Sequence, residues 1–255
     1  MPTVTRLSIA PVRSLGLETR DEIDLTDLGV VEDRRFCLVD DTGRLVDQLV
    51  AASLVQVSAW TDRDGTVLRL TFPDGAVVED EVRLGAPCES DIYGRAVAGH
   101  VVDGPWADSL STYVGKRIRV IRCDEPGGTR DAAELVSLVT DASLDRLGAA
   151  LGVDAVDPRR FRMLIELSGA TPHEEDSWVG ARVALGESIL VITGPIPRCA
   201  MTTHDPDTGT RDLDTLRAIK EYRGLSGGKN LMFGVWGAVA RPGRIRLGDE
   251  VTVLG

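Results

Sequence analysis

The stretch Val67-Leu-Arg-Leu-Thr-Phe-Pro-Asp-Gly-Ala-Val-Val78 alternates apolar and polar residues, breaks at Pro73-Asp-Gly75, then resumes as a second apolar run. Period two marks a half-buried strand and Pro-Asp-Gly is turn chemistry, so the stretch predicts a hairpin. The pattern spreads in both directions. Residues 4–9 alternate, and 36–46 fold back around Asp41-Thr-Gly43. Further strands are expected over 96–102, 118–122, 161–167, 182–185, 189–192 and 235–240. The last pair is 244–247, turning at Gly248-Asp249 into 251–254. Many short strands separated by Gly/Asp turns argue for barrels or sandwiches, a mainly β chain with a few helices.

Three segments carry helical signals. Residues 107–114 are short; 140–151 place Leu144, Leu147 and Leu151 on one face, with Gly152 just past the end. Residues 214–222 follow Asp214 as a capping aspartate. A polar, turn-rich seam at 124–131 divides an expected N-terminal barrel-like domain, 1–124, from a C-terminal one, 125–255.

Composition narrows the function. The 255 residues are 43% hydrophobic and carry a net charge of -11, which excludes a nucleic-acid polymer as partner in the absence of a basic stripe. Local arginine clusters in an acidic chain suit a small anionic ligand instead. No apolar run approaches the length of a membrane span, and the N-terminus lacks a secretory pattern. Four cysteines are scattered without a CxxC pair, so the expectation is a reduced, cytoplasmic protein.

One of those cysteines has an unusual setting. Pro195-Ile-Pro-Arg-Cys-Ala-Met-Thr-Thr-His-Asp-Pro-Asp-Thr-Gly209 places Cys199 after Arg198, at the end of the apolar run 189–192. A cysteine after a strand is most often a small buried hydrophobe. A neighbouring cation favours thiolate, which leaves metal ligand, sulfur nucleophile and redox thiol open. Zinc fits poorly, because four ligands are needed and His204 alone is near. A soft thiolate on a transition metal held mainly by another ligand fits best. The Asp205–Gly209 segment is explained as turn chemistry, and His204 as a solvated side chain.

Arginines supply the second theme. Asp157-Pro-Arg-Arg-Phe-Arg162 precedes an expected strand, and period two would put Arg160 and Arg162 on one face, where they share an anion. Pro11-Val-Arg-Ser14 exposes Arg13 and Ser14 after the first strand, while Asp33-Arg34 reads equally as a local ion pair. Gly224-Leu-Ser-Gly-Gly-Lys-Asn230 fails as a phosphate loop by one residue of spacing and reads as a mobile loop.

These stretches, in order, resemble the MOSC family, in particular its subgroup with an added N-terminal β-barrel domain. The resemblance rests on Pro11-Val-Arg-Ser14, Asp33-Arg34, Thr140-Asp-Ala-Ser-Leu144, Asp157–Arg162, Glu175-Asp-Ser-Trp178, Pro197-Arg-Cys199, Tyr222-Arg223, Phe233-Gly234 and Gly243-Arg-Ile-Arg-Leu-Gly-Asp249. It implies an N-terminal β-barrel plus a MOSC β-barrel, with a molybdenum cofactor (molybdopterin) in the cleft between them. Cys199 would be the catalytic sulfur ligand to molybdenum. Arg13, Ser14, Arg34, Thr140, Asp141, Arg162 and Arg198 would hold the pterin and its phosphate, and Trp236 would lie near the metal. The implied reaction reduces N-hydroxylated amines, amidoximes or bases, with electrons from a separate ferredoxin, flavodoxin or reductase-type protein. Arg13 stands where the family usually has lysine, and Leu164 where it has asparagine. The alternatives are a sulfurtransferase with a Cys199 persulfide and a non-catalytic cofactor-binding protein.

Overall fold

The computed structural model describes residues 1–126 and 130–254, so the expected seam at 124–131 lies partly outside the described residues. The described residues form mainly strands, with three α-helices among them: α1, Trp106–Val114; α2, Asp141–Leu151; and α3, Thr215–Arg223. All three fall where the sequence predicts them. Thr140 and Asp214 cap α2 and α3, each accepting from a backbone N–H in the first turn. Gly152 ends α2 in the left-handed region at φ 70°.

One eight-stranded sheet forms the larger half. Its spatial order is Val251–Leu254, Arg182–Leu185, Ser188–Pro197, Met232–Arg241, Val136–Thr140, Ile165–Ser168, Thr3–Ile9 and Glu18–Arg20. All neighbours are antiparallel except Val136–Thr140 and Ile165–Ser168, which run parallel with α2 as the crossover. The sheet closes on itself through the first strand: Thr3 bridges Glu250, and Val4 N–H donates to Asp249 O at 2.9 Å. Leu7, Ile9, Leu138, Ile165, Leu167, Leu190 and Val235 fill the interior.

The other half wraps a four-stranded sheet (Phe36–Val39, Arg119–Cys123, Arg95–Asp103, Arg83–Ile92) and a three-stranded one (Ser58–Thr61, Val67–Thr71, Val77–Glu81) around a second core. Phe36, Leu54, Leu68, Leu70, Trp106 and Leu110 form its centre. The opening hairpin pairs as expected, Val67 with Glu81 through Thr71 with Val77. Trp106 closes the core from α1, and its indole N–H donates to Leu68 O at 3.0 Å.

The N-terminal segment belongs to both halves. Thr3–Ile9 and Glu18–Arg20 complete the large sheet, and Glu22–Thr26 pairs with Gly243–Arg246. Between Thr3–Ile9 and Glu18–Arg20 the chain dips into the second core at Val12, and Arg13 N–H donates to Phe36 O at 2.7 Å.

Two expectations are corrected. The strand predicted over 161–167 begins only at Ile165, because Asp157 caps a 3₁₀ turn at Pro158–Phe161 and Arg162 adopts φ 52°. Arg160 and Arg162 therefore do not share the face of an extended segment. The ten-residue strand Arg83–Ile92 was not foreseen; it carries Gly85, Pro87 and acidic residues and sits at a sheet edge, where proline is tolerated. The 224–230 segment forms a turn closed by Ser226 N–H donating to Asn230 O at 2.8 Å.

Candidate functional site

A cleft of about 550 Å³ opens where the two halves meet, with Arg13 and Ser14 from the segment after the first strand, Ile92 and Tyr93 from the four-stranded half, and Ser137, Pro197 and Trp236 from the large sheet in its wall. Ser188–Pro197 delivers Arg198 and Cys199 to it. The paired run of apolar residues ends at Pro197 against Met232, and Arg198 N–H then donates to Leu231 O at 2.8 Å. Cys199 stands at the start of a 3₁₀ turn, exposed, with its thiol on the cleft wall. The common structural reading of a post-strand cysteine, a small buried hydrophobe, does not apply here.

Arg198 is held in place by three acceptors. Its guanidinium donates to Phe233 O at 2.8 Å, Phe161 O at 3.1 Å and Met163 Sδ at 3.1 Å, and it stacks over the Phe161 ring. Gly234 makes this packing possible, since a Cβ there would lie 2.2 Å from Met163 Cε and 3.3 Å from Arg198 Nη2. None of the three acceptors is a carboxylate. Burial therefore pulls Arg198 down to about 9. Guanidinium remains protonated at neutral pH, so Arg198 stands in the cleft wall as a cation whose three acceptors are all uncharged.

Arg162 is in the same condition. It donates to Leu15 O at 2.7 Å, and burial, with Arg34 and Arg13 nearby, pulls it down to about 9. Burial and Arg34 likewise lower Arg13 and Arg130. Arg130 donates to Glu134 O at 3.4 Å and Leu135 O at 3.2 Å, and its guanidinium lies 5.0 Å from the Trp236 ring centre. Arg34 differs: it pairs with buried Asp33, which also accepts from Ala10 N–H at 2.8 Å. Burial alone would raise Asp33, yet Arg34, Arg130 and the Ala10 N–H hold it low.

Arg160 is neutralised locally. It makes two contacts with Asp212, at 2.7 and 2.6 Å, and approaches Asp205 at 3.7 Å. The bidentate pair satisfies its charge, so its lining role in the cleft is that of a braced wall. Asp205 also accepts from Asp207 N–H and Thr208 N–H, the turn geometry expected for this segment.

Backbone strain gathers at the same place. Among the described residues, five non-glycine residues have positive φ: Ser14 (82°), Arg34 (54°), Tyr93 (56°), Arg162 (52°) and His173 (62°). The first four line the cleft. Each such conformation costs on the order of 1 kcal/mol and clusters at functional sites in proteins generally.

The cleft thus brings together Arg13, Ser14, Arg34, Arg160, Arg162, Arg198, Cys199 and Trp236. Thr140 and Asp141 lie elsewhere. Thr140 is fully buried, its hydroxyl engaged with Ser143 at 2.7 Å and Glu175 at 3.0 Å, and Asp141 opens α2. Both serve the end of the helix. Leu164 faces the core of the large sheet, and its N–H donates to Ser137 Oγ at 3.0 Å. His204 lines a smaller adjoining cavity rather than this cleft. Sequence reasoning missed Arg130, Tyr93 and Met163; none belongs to a charged or cysteine-bearing cluster that spacing alone would single out.

The residues fit an anionic cofactor with a soft metal. Among the described residues no three His, Cys, Asp or Glu side chains gather as a cage, so a metal at Cys199 would take its other ligands from the cofactor. A larger groove of about 670 Å³, near Asp24, Arg63 and Arg244, makes a useful contrast. Its arginines are all paired with carboxylates, as Arg63 is with Asp24 at 2.6 Å, and it contains no thiol.

Residues 127–252 match the model of the MOSC domain and residues 1–113 that of the MOSC N-terminal beta barrel domain. The chain is 26% identical over 288 residues to mitochondrial amidoxime-reducing component 1 of Mus musculus, covering 99% of this chain and 82% of that protein. It is 28% identical over 279 residues to the molybdenum cofactor sulfurase of Drosophila grimshawi, covering 99% of this chain but 35% of that protein. Among solved structures, the YUAD protein from Bacillus subtilis superposes with a TM-score of 0.48 at 13% identity, over 98% of this chain and 94% of that one.

Proposed function

The chain belongs to the MOSC family, with an N-terminal beta barrel domain ahead of the MOSC domain, and on that premise we propose a molybdenum-cofactor-dependent reductase of N-hydroxylated compounds. The observation that carries the reading is one cleft presenting an exposed cysteine among arginines, of which the partly buried Arg130, Arg162 and Arg198 donate to carbonyls or sulfur rather than to carboxylates. Relatives named amidoxime-reducing component support the substrate class.

In this reading Cys199 is the protein's sulfur ligand to molybdenum. Arg13, Arg34, Arg130, Arg162 and Arg198, with Ser14, hold the pterin and its phosphate; Trp236 walls the metal side. When bound, the cofactor supplies two-electron redox chemistry. The side chains do the rest. The guanidinia neutralise the anion and fix its orientation, and their own partly buried charge is relieved when it binds. Arg198, pinned by three acceptors, fixes the backbone from which Cys199 projects. Stacked Phe161 and Phe233, 4.6 Å apart, back that anchor with a dry wall. Reduction of N–OH to N–H and water consumes two electrons and two protons, and the electrons come from a separate ferredoxin, flavodoxin or reductase-type protein.

Metal analysis tests this directly. Protein purified from a host that makes the cofactor is expected to carry molybdenum in near-stoichiometric amount, and Cys199→Ala to lose most of it. Wild-type protein without molybdenum under those conditions sinks the reading. Cyanide-releasable sulfur on Cys199 in metal-free protein would replace it with sulfur transfer, the activity named in the sulfurase relatives.

A further inference from the structure

Three hollows adjoin one another on the side of the fold that delivers Cys199. The cleft shares Arg160, Arg162 and Met201 with a cavity of about 10 Å³. That cavity shares Val55, Arg159, Arg162 and Pro206 with an outer groove of about 240 Å³, while groove and cleft share only Arg162. The small cavity thus lies between the other two. Its size is that of about one water molecule. Gly209 closes it against the second core, where a Cβ would lie 2.4 Å from Ala52 O. The 3₁₀ turn Ala200–Thr203 starts from Cys199 and ends at His204, whose N–H donates to Met201 O at 3.1 Å. One short turn therefore carries the thiol to the cleft and the imidazole to the cavity.

Two buried polar atoms of this wall, Arg160 Nε and His204 Nδ1, have no hydrogen-bond partner among the described residues. The guanidinium nitrogen can only donate, whereas an imidazole nitrogen accepts or donates according to its tautomer. A water between them would accept from Arg160 and donate to His204, which satisfies both. The other charges facing the cavity are Arg159, Arg162 and Asp205. Arg159 pairs with Asp157 and Asp207, Arg160 pairs with Asp212, and Arg211 meets His204 through a backbone bridge. The cleft itself offers guanidinia, which keep their protons, and carboxyls at Asp131 and Glu134. Its phenol, Tyr93, is pushed up to about 12 by burial and then by its hydrogen bond with Asp47. Among the described residues the cleft wall holds no imidazole, the side chain suited to exchanging protons near neutral pH.

We propose that a water bridges Arg160 Nε and His204 Nδ1 in the small cavity, and that His204 relays protons from the outer groove to the reaction in the cleft. The proposal rests on the reductase reading of the cleft. Reduction of N–OH to N–H breaks the N–O bond with two electrons from the donor protein and two protons. In each transfer the imidazole yields one proton across the Arg160–Met201 wall to water in the cleft and regains one from the cavity water. The released oxygen leaves as water, so atoms and charge balance. His204 acts through water and does not touch the substrate.

The test uses molybdenum-loaded protein reducing benzamidoxime with a reduced viologen as electron donor. His204→Gln keeps a polar side chain of similar size that cannot pass a proton. It is expected to lower kcat at least about tenfold with KM and molybdenum content unchanged. His204→Ala is expected to regain rate when imidazole is added to the buffer. An unchanged kcat in His204→Gln overturns the proposal. So does a loss of rate that follows a loss of molybdenum, or one that imidazole fails to restore in His204→Ala. A readout independent of turnover is a crystal structure of the metal-free protein. It is expected to show an ordered water within hydrogen-bonding distance of Arg160 Nε and His204 Nδ1, and a cavity without one also overturns the proposal. Failure of the reductase reading is distinct: loaded wild-type protein then leaves the N–O bond of benzamidoxime intact before any variant is compared, and the relay falls with it.

Discussion

Arg162 illustrates how a single side chain can be costly to the fold and valuable to the site. It holds a positive φ, is partly buried, and faces Arg34 and Arg13 with a backbone carbonyl as its hydrogen-bond acceptor. Replacing it with glycine relieves backbone strain of about 1 kcal/mol and removes a partly buried charge. Arg162→Gly is therefore expected to melt no lower than wild type while retaining several-fold less molybdenum. A large drop in the melting temperature would mean that the arginine is structural. Buried Glu166 and partly buried His173 set opposite pH dependences. Burial, with help from Asp157, pushes Glu166 from 4.5 up to about 7, against the pull of Arg6. The folded state holds that proton longer than the unfolded one, so stability is lost as pH rises from 4.5 to 7. Burial, then Arg223, lowers His173 from 6.5 to about 4, so its contribution is lost as pH falls through that window. The two slopes offset each other in wild type. Glu166→Gln is expected to expose the histidine limb, making the protein clearly more stable at about pH 7.5 than at about pH 5 in urea titrations. An unchanged pH profile would remove Glu166 as the cause.

At the scale of elements, end signals were readable where one residue does one local job. Thr140, Gly152 and Asp214 mark helix ends because capping is settled within a turn or two of chain. Thr140 carries more than a cap, since its hydroxyl also donates to buried Glu175, whose carboxyl burial pushes up. Thr140→Ala is expected to cost about 1–2 kcal/mol in denaturant unfolding, with Thr140→Ser recovering most of it and molybdenum content unaffected by either. Lost molybdenum at unchanged stability would put Thr140 in the cofactor's hold instead. The strand Arg83–Ile92 was not readable, because Gly85, Pro87 and its acidic residues argue locally against a strand. Its pairing with Arg95–Asp103 outweighs those preferences. Residues 157–162 misled for the converse reason. Their alternation looked extended, but Asp157 accepting from Arg159 N–H turns the chain into a 3₁₀ loop, and Arg160 goes to Asp212.

For the whole molecule, the first thirty residues join what the family models divide. Leu7 and Ile9 sit in the core of the large sheet although they precede the second core in sequence. A chain cut between residues 124 and 125 would leave Ile165–Ser168 without one of its two neighbours, Thr3–Ile9, and Gly243–Arg246 without its partner Glu22–Thr26 in the C-terminal piece. That piece alone is expected to lack a cooperative unfolding transition, and co-expression with 1–124 to restore one. Cooperative unfolding of 125–255 by itself would show that the shared strands are dispensable. By itself the sequence determined the β-rich class, the three helices and the two residue types of the site, a thiol and arginines. Those follow from periodicity, capping and chemical identity, which are local properties. Only the tertiary structure decided which arginines count. Arg160 is neutralised by an aspartate 52 residues away, while Arg130, unremarkable in sequence, lies partly buried against Trp236. The value of a buried charge depends on its neighbours across the fold and on the water they exclude, and neither is written in the spacing of residues along the chain.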